Sequence, residues 1–156
     1  MPEIFLDGAA RFLVLLHALA AIVLVGATTH HAIVAIGYLR DKPKLRLGRI
    51  YAATIAVSYA VTFLLGLLVY PTFRYHTRAL YLDRYERWAT NLFDMKENFA
   101  ALGIPLVIAM FVLSRRLKPA EDKLLVGPYV GFALLTAAIV WFDVISGLLI
   151  TMTRGV

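Results

Sequence analysis

The chain has 156 residues, of which 61% are apolar and 17% are charged, and its formal net charge is +6. A soluble domain is about 45–50% apolar and about 25% charged, so this composition excludes an ordinary soluble domain and also intrinsic disorder. The sequence contains no cysteine, which excludes a disulfide-stabilised scaffold.

Charged residues occur in clusters that are separated by four long apolar intervals. A helix needs about 20 predominantly apolar residues to cross a bilayer. The intervals predict four spans, at about 11–39, 50–70, 92–114 and 124–153. Apolar residues in them do not alternate with period two, which excludes the strands of a membrane barrel. We therefore expect an all-α protein, an integral membrane four-helix bundle that forms a single transmembrane domain over residues 1–156.

The segment between the second and third spans mixes aromatic and charged residues. Pro71 is expected to end the second helix, because proline lacks an amide donor and clashes with the preceding turn. Beyond it, residues 73–88 interleave five aromatic side chains with arginines, a histidine and acidic residues. This composition is typical of an amphipathic helix that lies in the membrane–water interface. A lid over a site at the outer face and a docking surface for a partner protein are the alternatives.

Basic residues in the connections indicate how the bundle is oriented. Residues 40–49 contain five lysines and arginines, and residues 115–123 contain four. Short and densely basic loops stay in the cytoplasm, so the sequence predicts that both termini lie outside. The positive charge is then expected to contact lipid headgroups, and nothing in its pattern indicates nucleic acid.

Ionisable side chains inside the spans are the candidate functional residues, because they are costly in a membrane and usually face the bundle interior. With a rise of about 1.5 Å per residue, His17 lies roughly 8 Å and Asp143 roughly 15 Å from the outer ends of their spans. Lys96 and Glu97 lie in the first turns of the third span. All four are expected in the outer half of the membrane, with His76 just above them. Alternatively, Asp143 pairs with Lys96 or His17 and only fixes the helix register.

Three histidines lie in the first span, and the spacing of two of them is informative. His17 and His31 are 14 residues apart, which places them on one helix face about 21 Å from each other. His30 points elsewhere. The spacing resembles that of respiratory di-haem cytochromes b, in which one transmembrane helix holds two stacked haems. Imidazole is a good ligand of haem iron, so the resemblance implies haem b with His17 as a ligand.

The second axial ligand of such a haem is an open question, because spans two to four contain no histidine. His76 could reach back to a haem on His17. For a haem held by His31, the sulfur of Met110 in the third span is the available second ligand. A second subunit could also supply the ligand, or the second ligand could be absent. One haem is favoured over two, and the alternative is that the histidines are core residues that bind no haem.

Haem propionates are carboxylates. A nearby cation stabilises a carboxylate better than surrounding lipid does. The cations expected beside them are Arg74, Arg78 and Lys96, all near the outer surface. Asp143 is expected to tune the site by its charge.

Two short stretches carry a family resemblance. Residues 15–21, Leu-Leu-His-Ala-Leu-Ala-Ala, are followed by Val25 and Gly26, and residues 91–96 read Asn-Leu-Phe-Asp-Met-Lys. They resemble the first helix and the start of the third helix of small four-helix bacterial membrane proteins, the copper-resistance D proteins and the short haem-binding protoporphyrinogen oxidases. The resemblance matches His17 to the first-helix histidine and Lys96 to the third-helix lysine. It implies a bundle in the bacterial inner membrane that binds haem or a metal.

Three functions follow from these observations. The first is a b-type haem protein, either an electron-transfer subunit or a haem-dependent oxidoreductase. The second is a non-catalytic accessory subunit of a larger respiratory or photosynthetic membrane complex. The third is copper handling with His17, His31 and His76 as metal ligands, and it ranks last because copper(I) prefers sulfur ligands. Besides the lipid bilayer, the expected partners are further copies of the chain or the subunits of a larger complex.

Overall fold

The computed structural model describes residues 4–154 and contains four long helices. These are α1 (Ala10–Leu39), α2 (Leu45–Thr72), α3 (Arg87–Arg116) and α4 (Lys123–Thr153). No strand occurs in the described part of the chain. All four helices are long and apolar enough to cross a membrane. The prediction of an all-α fold with four candidate membrane spans is confirmed.

The helices form a ring in chain order. Each helix packs against the next one, and α1 also packs against α4. The connections after α1 and α3 lie at the same end, where Arg49 Nε donates a hydrogen bond of 3.3 Å to the Ser114 carbonyl. We call this the basic end and the opposite one the outer end. The arrangement is that of an up-down-up-down bundle in which α1 and α3 are diagonal neighbours.

The expectation that Pro71 ends the second helix is wrong. α2 runs through Pro71 to Thr72 and continues as a π-helix over Phe73–Leu82, followed by a single turn, Asp83–Tyr85. A proline removes only one amide donor from the helical ladder. Two residues after Pro71 the backbone changes to the wider i→i+5 hydrogen bonding of a π-helix. This bonding accommodates the missing amide donor, so the chain stays helical.

The π-helix has a buried face and an exposed face. Phe73, Thr77 and Leu82 are buried, whereas Arg74 and Leu80 are exposed. The buried residues follow one another at intervals of four and five, which fits i→i+5 bonding. The amphipathic pattern expected between the second and third spans is therefore present, but as an extension of α2 and not as a separate helix.

Paired side chains hold the π-helix against the start of α3. Arg78 donates two hydrogen bonds to the Asp94 carboxylate, of 2.7 Å from Nη1 and 3.1 Å from Nη2. Its Nε lies 3.7 Å from Asp83 Oδ1, which in turn accepts a 2.9 Å hydrogen bond from Thr90 Oγ1. Bidentate arginine–carboxylate pairs are among the stronger and more directional contacts of proteins. This set of contacts fixes the outer end of the bundle.

The apolar core has two parts. The larger one fills the middle and the basic half of the bundle and takes residues from all four helices, among them Leu24, Ile55, Met110 and Tyr129. The smaller one lies at the outer end and consists of Phe73, Leu82, Ala89 and Ile150, with partly buried neighbours that include Phe93. Residues of α1 belong only to the larger part within the described chain. The outer half of α1 is therefore packed differently from the rest of the helix.

Candidate functional site

A cavity of about 680 Å³ lies in the outer half of the bundle, and all four helices contribute to its wall. Sites for small molecules and cofactors have volumes of about 300–1,000 Å³, mostly apolar walls and a few polar groups. The apolar and aromatic wall includes Val14, Leu24, Phe63, Phe73, Phe93 and Trp141. The polar lining side chains are those of His17, Tyr59, Thr62, Tyr70, Lys96, Glu97 and Asp143. The cavity therefore has the composition of a ligand-binding site.

His17 enters this cavity from α1 and is held by α2. Its Nδ1 lies 2.9 Å from the Thr62 carbonyl oxygen. A carbonyl oxygen only accepts hydrogen bonds, so Nδ1 carries the proton and Nε2 keeps its lone pair. Nε2 makes no hydrogen bond within residues 4–154. Close packing also orients the ring, because a Cβ atom at Gly66 would lie 3.4 Å from His17 Cε1.

Lys96 enters the same cavity from α3, the helix diagonal to α1. Its side chain lies along α4, where a Cβ atom at Gly147 would be 3.9 Å from Nζ. Nζ also lies 5.9 Å from the centre of the Phe93 ring, which is within the range of a cation–π contact. Lys96 is the only lysine or arginine among the described residues that line the cavity. It is thus the cation available to a ligand inside the bundle.

Asp143 lines the cavity from α4 and has no partner for one of its oxygens. Oδ1 is buried and makes no hydrogen bond within the described residues. Neither Lys96 nor His17 lies within 4.0 Å of the carboxylate. The pairing of Asp143 with one of them, expected from the sequence, is therefore not found. A buried acceptor without a partner is costly, and it leaves the carboxylate available to a ligand or to solvent in the cavity.

His31 lies outside the cavity, in the basic half of the bundle. Its side chain is fully buried, and Nε2 lies 2.8 Å from the Tyr129 hydroxyl of α4. The Tyr129 ring packs in turn against Tyr38, with ring centres 5.1 Å apart. Although His17 and His31 are near each other in azimuth, the first contacts α2 and the second contacts α4. They belong to two different environments.

His76 and Arg74 lie at the outer surface and do not line the cavity. His76 Nε2 is 3.2 Å from Asp7 Oδ1, in a half-exposed pair that joins the π-helix to the start of the chain. Arg74 is exposed. Of the residues predicted for the site, the structure brings together His17, Lys96 and Asp143, but not His31, His76 or Arg74.

The three histidines of the predicted metal site are therefore separate. Within residues 4–154, no three or more histidine or acidic side chains are grouped so that they could hold a metal ion.

Sequence reasoning missed the partners of the histidines. The Thr62 partner of His17 is a backbone carbonyl, which leaves no signal in the sequence. Tyr129 and Tyr59 are counted among the apolar residues of the composition, although the Tyr59 hydroxyl donates a 2.7 Å hydrogen bond to the Ala100 carbonyl. Tyrosines within the spans were the available signal, because a buried tyrosine hydroxyl usually finds a partner.

Comparisons of the chain with protein-family models, with curated proteins and with solved structures find no match. The resemblance to small haem-binding and copper-resistance membrane proteins therefore stays a prediction. The function is argued below from the cavity and its side chains.

Proposed function

We propose that the chain is a b-type haem-binding integral membrane protein, with haem in the outer cavity and His17 as the iron ligand. The observation that carries the proposal is the 2.9 Å contact between His17 Nδ1 and the Thr62 carbonyl. Histidines that bind metals commonly donate their other ring N–H to a carbonyl or carboxylate, which fixes the tautomer and the orientation of the ligating nitrogen. His17 has this arrangement, with Nε2 as the nitrogen that would bind iron.

The cavity supports the proposal by its size and its lining. A volume of about 680 Å³ lies within the range of cofactor sites, and the aromatic and aliphatic wall suits a flat apolar macrocycle. Lys96 would bind a propionate, because hydrogen bonds between charged groups are stronger than neutral ones. Arg78 is already bonded to Asp94, and Arg74 is exposed at the surface. Of the three cations expected beside the propionates, only Lys96 lines the cavity.

One haem fits the arrangement better than two. His17 is the only histidine that lines the cavity among residues 4–154. His31 is engaged with Tyr129 and lies outside the cavity, so it supports no second haem. Haem supplies one-electron chemistry, with a potential set by the ligand and by nearby charge. The chain would act as an electron-transfer subunit or as a haem-dependent oxidoreductase.

The proposed location is the bacterial inner membrane, with the basic end in the cytoplasm and both termini outside. The nine lysines and arginines of residues 40–49 and 115–123 lie at or next to that end, which is the pattern of the positive-inside rule. A larger assembly, of further copies or of other subunits, would contact the outer end between the π-helix and α3. There Tyr85 and Trp88 are 70% and 50% exposed. This exposure is also what favours the second candidate function, that of an accessory subunit.

The deciding measurement is the visible spectrum of the full chain purified in mild detergent. We expect a Soret band and, after reduction, sharp α and β bands. His17→Ala should abolish them, whereas the control His30→Ala should retain them because His30 is exposed and does not line the cavity. His17→Gly with added imidazole should regain the spectrum, which a merely structural role would not produce. A colourless wild-type protein that copurifies with larger subunits would favour the accessory function. Equal haem content in wild type and His17→Ala would exclude His17 as the ligand.

A further inference from the structure

We infer that the cavity opens sideways into the membrane between the outer halves of α1 and α4, and that haem reaches it from the lipid and not from water. The inference rests on the proposed function for the identity of the ligand. The opening itself rests on the packing of the helices, which is independent of what occupies the cavity.

Residues at the seam between α1 and α4 line the cavity and are exposed on the bundle surface. On α1, Ile22 lines the cavity and is 68% exposed, and Ala18 one turn away is exposed as well. On α4, Leu148 and Trp141 line the cavity and are 61% and 44% exposed. Two exposed lining residues on each of two neighbouring helices mark a place where the cavity reaches the surface.

The seam between α1 and α2 is closed in the outer half. There His17 Nδ1 lies 2.9 Å from the Thr62 carbonyl, and Gly66 packs against the same imidazole ring. Further out, His76 Nε2 lies 3.2 Å from Asp7 Oδ1, which ties the extension of α2 to the start of the chain.

The two seams of α3 are bridged by side-chain contacts, although Leu67 of α2 and Glu97 of α3 also line the cavity and are exposed. Between α2 and α3, the Phe73 and Phe93 rings stack with centres 4.3 Å apart, and Tyr59 bonds to Ala100. Between α3 and α4, the Phe99 and Phe142 rings meet edge to face at 5.0 Å.

Side-chain contacts across the α1–α4 seam lie deeper. Trp141 Nε1 donates a 3.0 Å hydrogen bond to Thr29 Oγ1, near the middle of both helices. The next contact, between His31 and Tyr129, lies further towards the basic end. The Trp141–Thr29 bond therefore marks the lower edge of the opening. Above it, the outer apolar cluster contains no residue of α1 among those described.

Access from the water at the outer end is obstructed by the π-helix. Phe73 and Ile150 line the cavity and also belong to the outer apolar cluster with Leu82 and Ala89. The pair between Arg78 and Asp94 holds this cover in place. A ligand that arrives through the lipid meets aliphatic side chains and the Trp141 ring at the seam, and reaches the ionisable groups deeper in the cavity. This order suits a flat amphiphile with carboxylates, such as haem.

Cross-linking tests the route, since the chain has no native cysteine. Ala18→Cys with Leu148→Cys places a thiol on each side of the opening, and Ile33→Cys with Leu134→Cys is the matched pair in the basic half of the same helices. Each full-length protein is reconstituted without haem, and haemin is supplied from phosphatidylcholine vesicles. We expect a bifunctional thiol reagent to slow the rise of the Soret band by an order of magnitude or more for the outer pair. The ratio of rates before and after cross-linking should stay near unity for the inner pair. Equal ratios for the two pairs would overturn the lateral route.

A second measurement reports the opening without haem. Val144→Cys lies in the cavity wall, Leu149→Cys is exposed on the outside of α4, and Ala133→Cys is buried in the core. A maleimide dissolved in the membrane should label the first two and not the third. Labelling of Val144→Cys only by a water-soluble reagent would overturn the opening. If the opening is present and no haem is taken up by any variant, the proposed function fails and the lateral opening stands.

Discussion

Three ionisable side chains, His17, Lys96 and Asp143, face one cavity without an ion pair within 4.0 Å among them. Membrane proteins rarely leave such groups apart, because each unpaired charge is costly in an apolar medium. Their separation supports the proposal that a ligand or ordered water completes the contacts in this cavity. The charges of Lys96 and Asp143 should then act on the ligand as well as on each other.

Under the proposed function, the charge of Asp143 predicts a change in the midpoint potential of the haem. Asp143→Asn removes a negative charge that favours the ferric over the ferrous state, so the midpoint potential should rise. Lys96→Met removes a positive charge, so the potential should fall. A unit charge about 10 Å away at an effective dielectric constant of about 20 gives shifts on the order of tens of millivolts. Redox titration of the purified variants, followed in the α band, measures both.

The opposite signs of the two shifts are the diagnostic feature. A variant that merely loosened the fold would broaden the spectrum or lose haem, and would not move the potential in a direction set by charge. Shifts of the same sign in both variants, or none in either, would contradict the electrostatic roles of these residues.

The position of each candidate side chain along its helix axis could be predicted from the sequence. The neighbouring helix that each side chain faces could not. Counting residues placed His17, Lys96, Glu97 and Asp143 in one half of the bundle, and all four line the same cavity. The same helical geometry placed His17 and His31 on one face. A remaining difference of about 40° is enough to turn one ring to α2 and the other to α4. Which neighbour a side chain meets depends on helix packing, which a single helix does not encode.

At the scale of the helices, glycines set how closely the elements approach. A Cβ atom at Gly48 would lie 2.6 Å from the Tyr38 hydroxyl and 3.2 Å from that of Tyr129. Both rings are buried and pack against each other, so neither can move aside without disturbing the contact with His31. Gly48 is therefore the position at which α2 approaches α1 and α4.

Gly48→Ala should destabilise the bundle, because overpacking a closely packed site costs about 1–3 kcal/mol. Gly131→Ala in α4 is the matched control, since no atom lies within 4 Å of the added methyl group. The control should be neutral or slightly stabilising, because alanine favours a helix over glycine by about 1 kcal/mol. Thermal unfolding in detergent, followed by tryptophan fluorescence, compares the two. A fall in melting temperature that is the same for both would contradict the close approach at Gly48.

The extension of α2 illustrates what local sequence rules leave out. Pro71 predicted a helix end because its effect on the ladder is local and well known. The helix persists because Phe73, Thr77 and Leu82 are buried against the rest of the bundle and Arg78 is bonded to Asp94. These contacts join residues on two helices, so neither segment alone indicates them.

At the scale of the whole molecule, the hydropathy profile predicted most of the fold. Four apolar intervals became four helices, since every backbone polar group in a membrane must be bonded within the chain. The same profile contains nothing about the cavity. A void forms where side chains on four helices fail to fill the space between them, and that is a property of the assembled bundle.

The orientation of the molecule is testable with single cysteines in this cysteine-free chain. Arg84→Cys lies at the exposed outer tip, and Lys44→Cys lies in the exposed connection at the basic end. An impermeant thiol reagent should label the first in intact cells and the second only after lysis, because dense basic loops stay in the cytoplasm. Labelling of Lys44→Cys in intact cells would invert the orientation.

The division of the core along α1 bears on how the molecule moves. The half of α1 from Leu24 to Tyr38 packs into the larger part of the apolar core. The half that precedes Leu24 borders the cavity. Regions with few buried contacts open most often, and their amide protons exchange soonest with solvent deuterium. We therefore expect the half of α1 that borders the cavity to open more often than the anchored half, although the contact of His17 with Thr62 ties it to α2. A bound ligand should slow amide exchange in that half and leave the other half unchanged. Binding of a ligand in this bundle would then be detected as a change in amide exchange rates, even if the average positions of the helices stay the same.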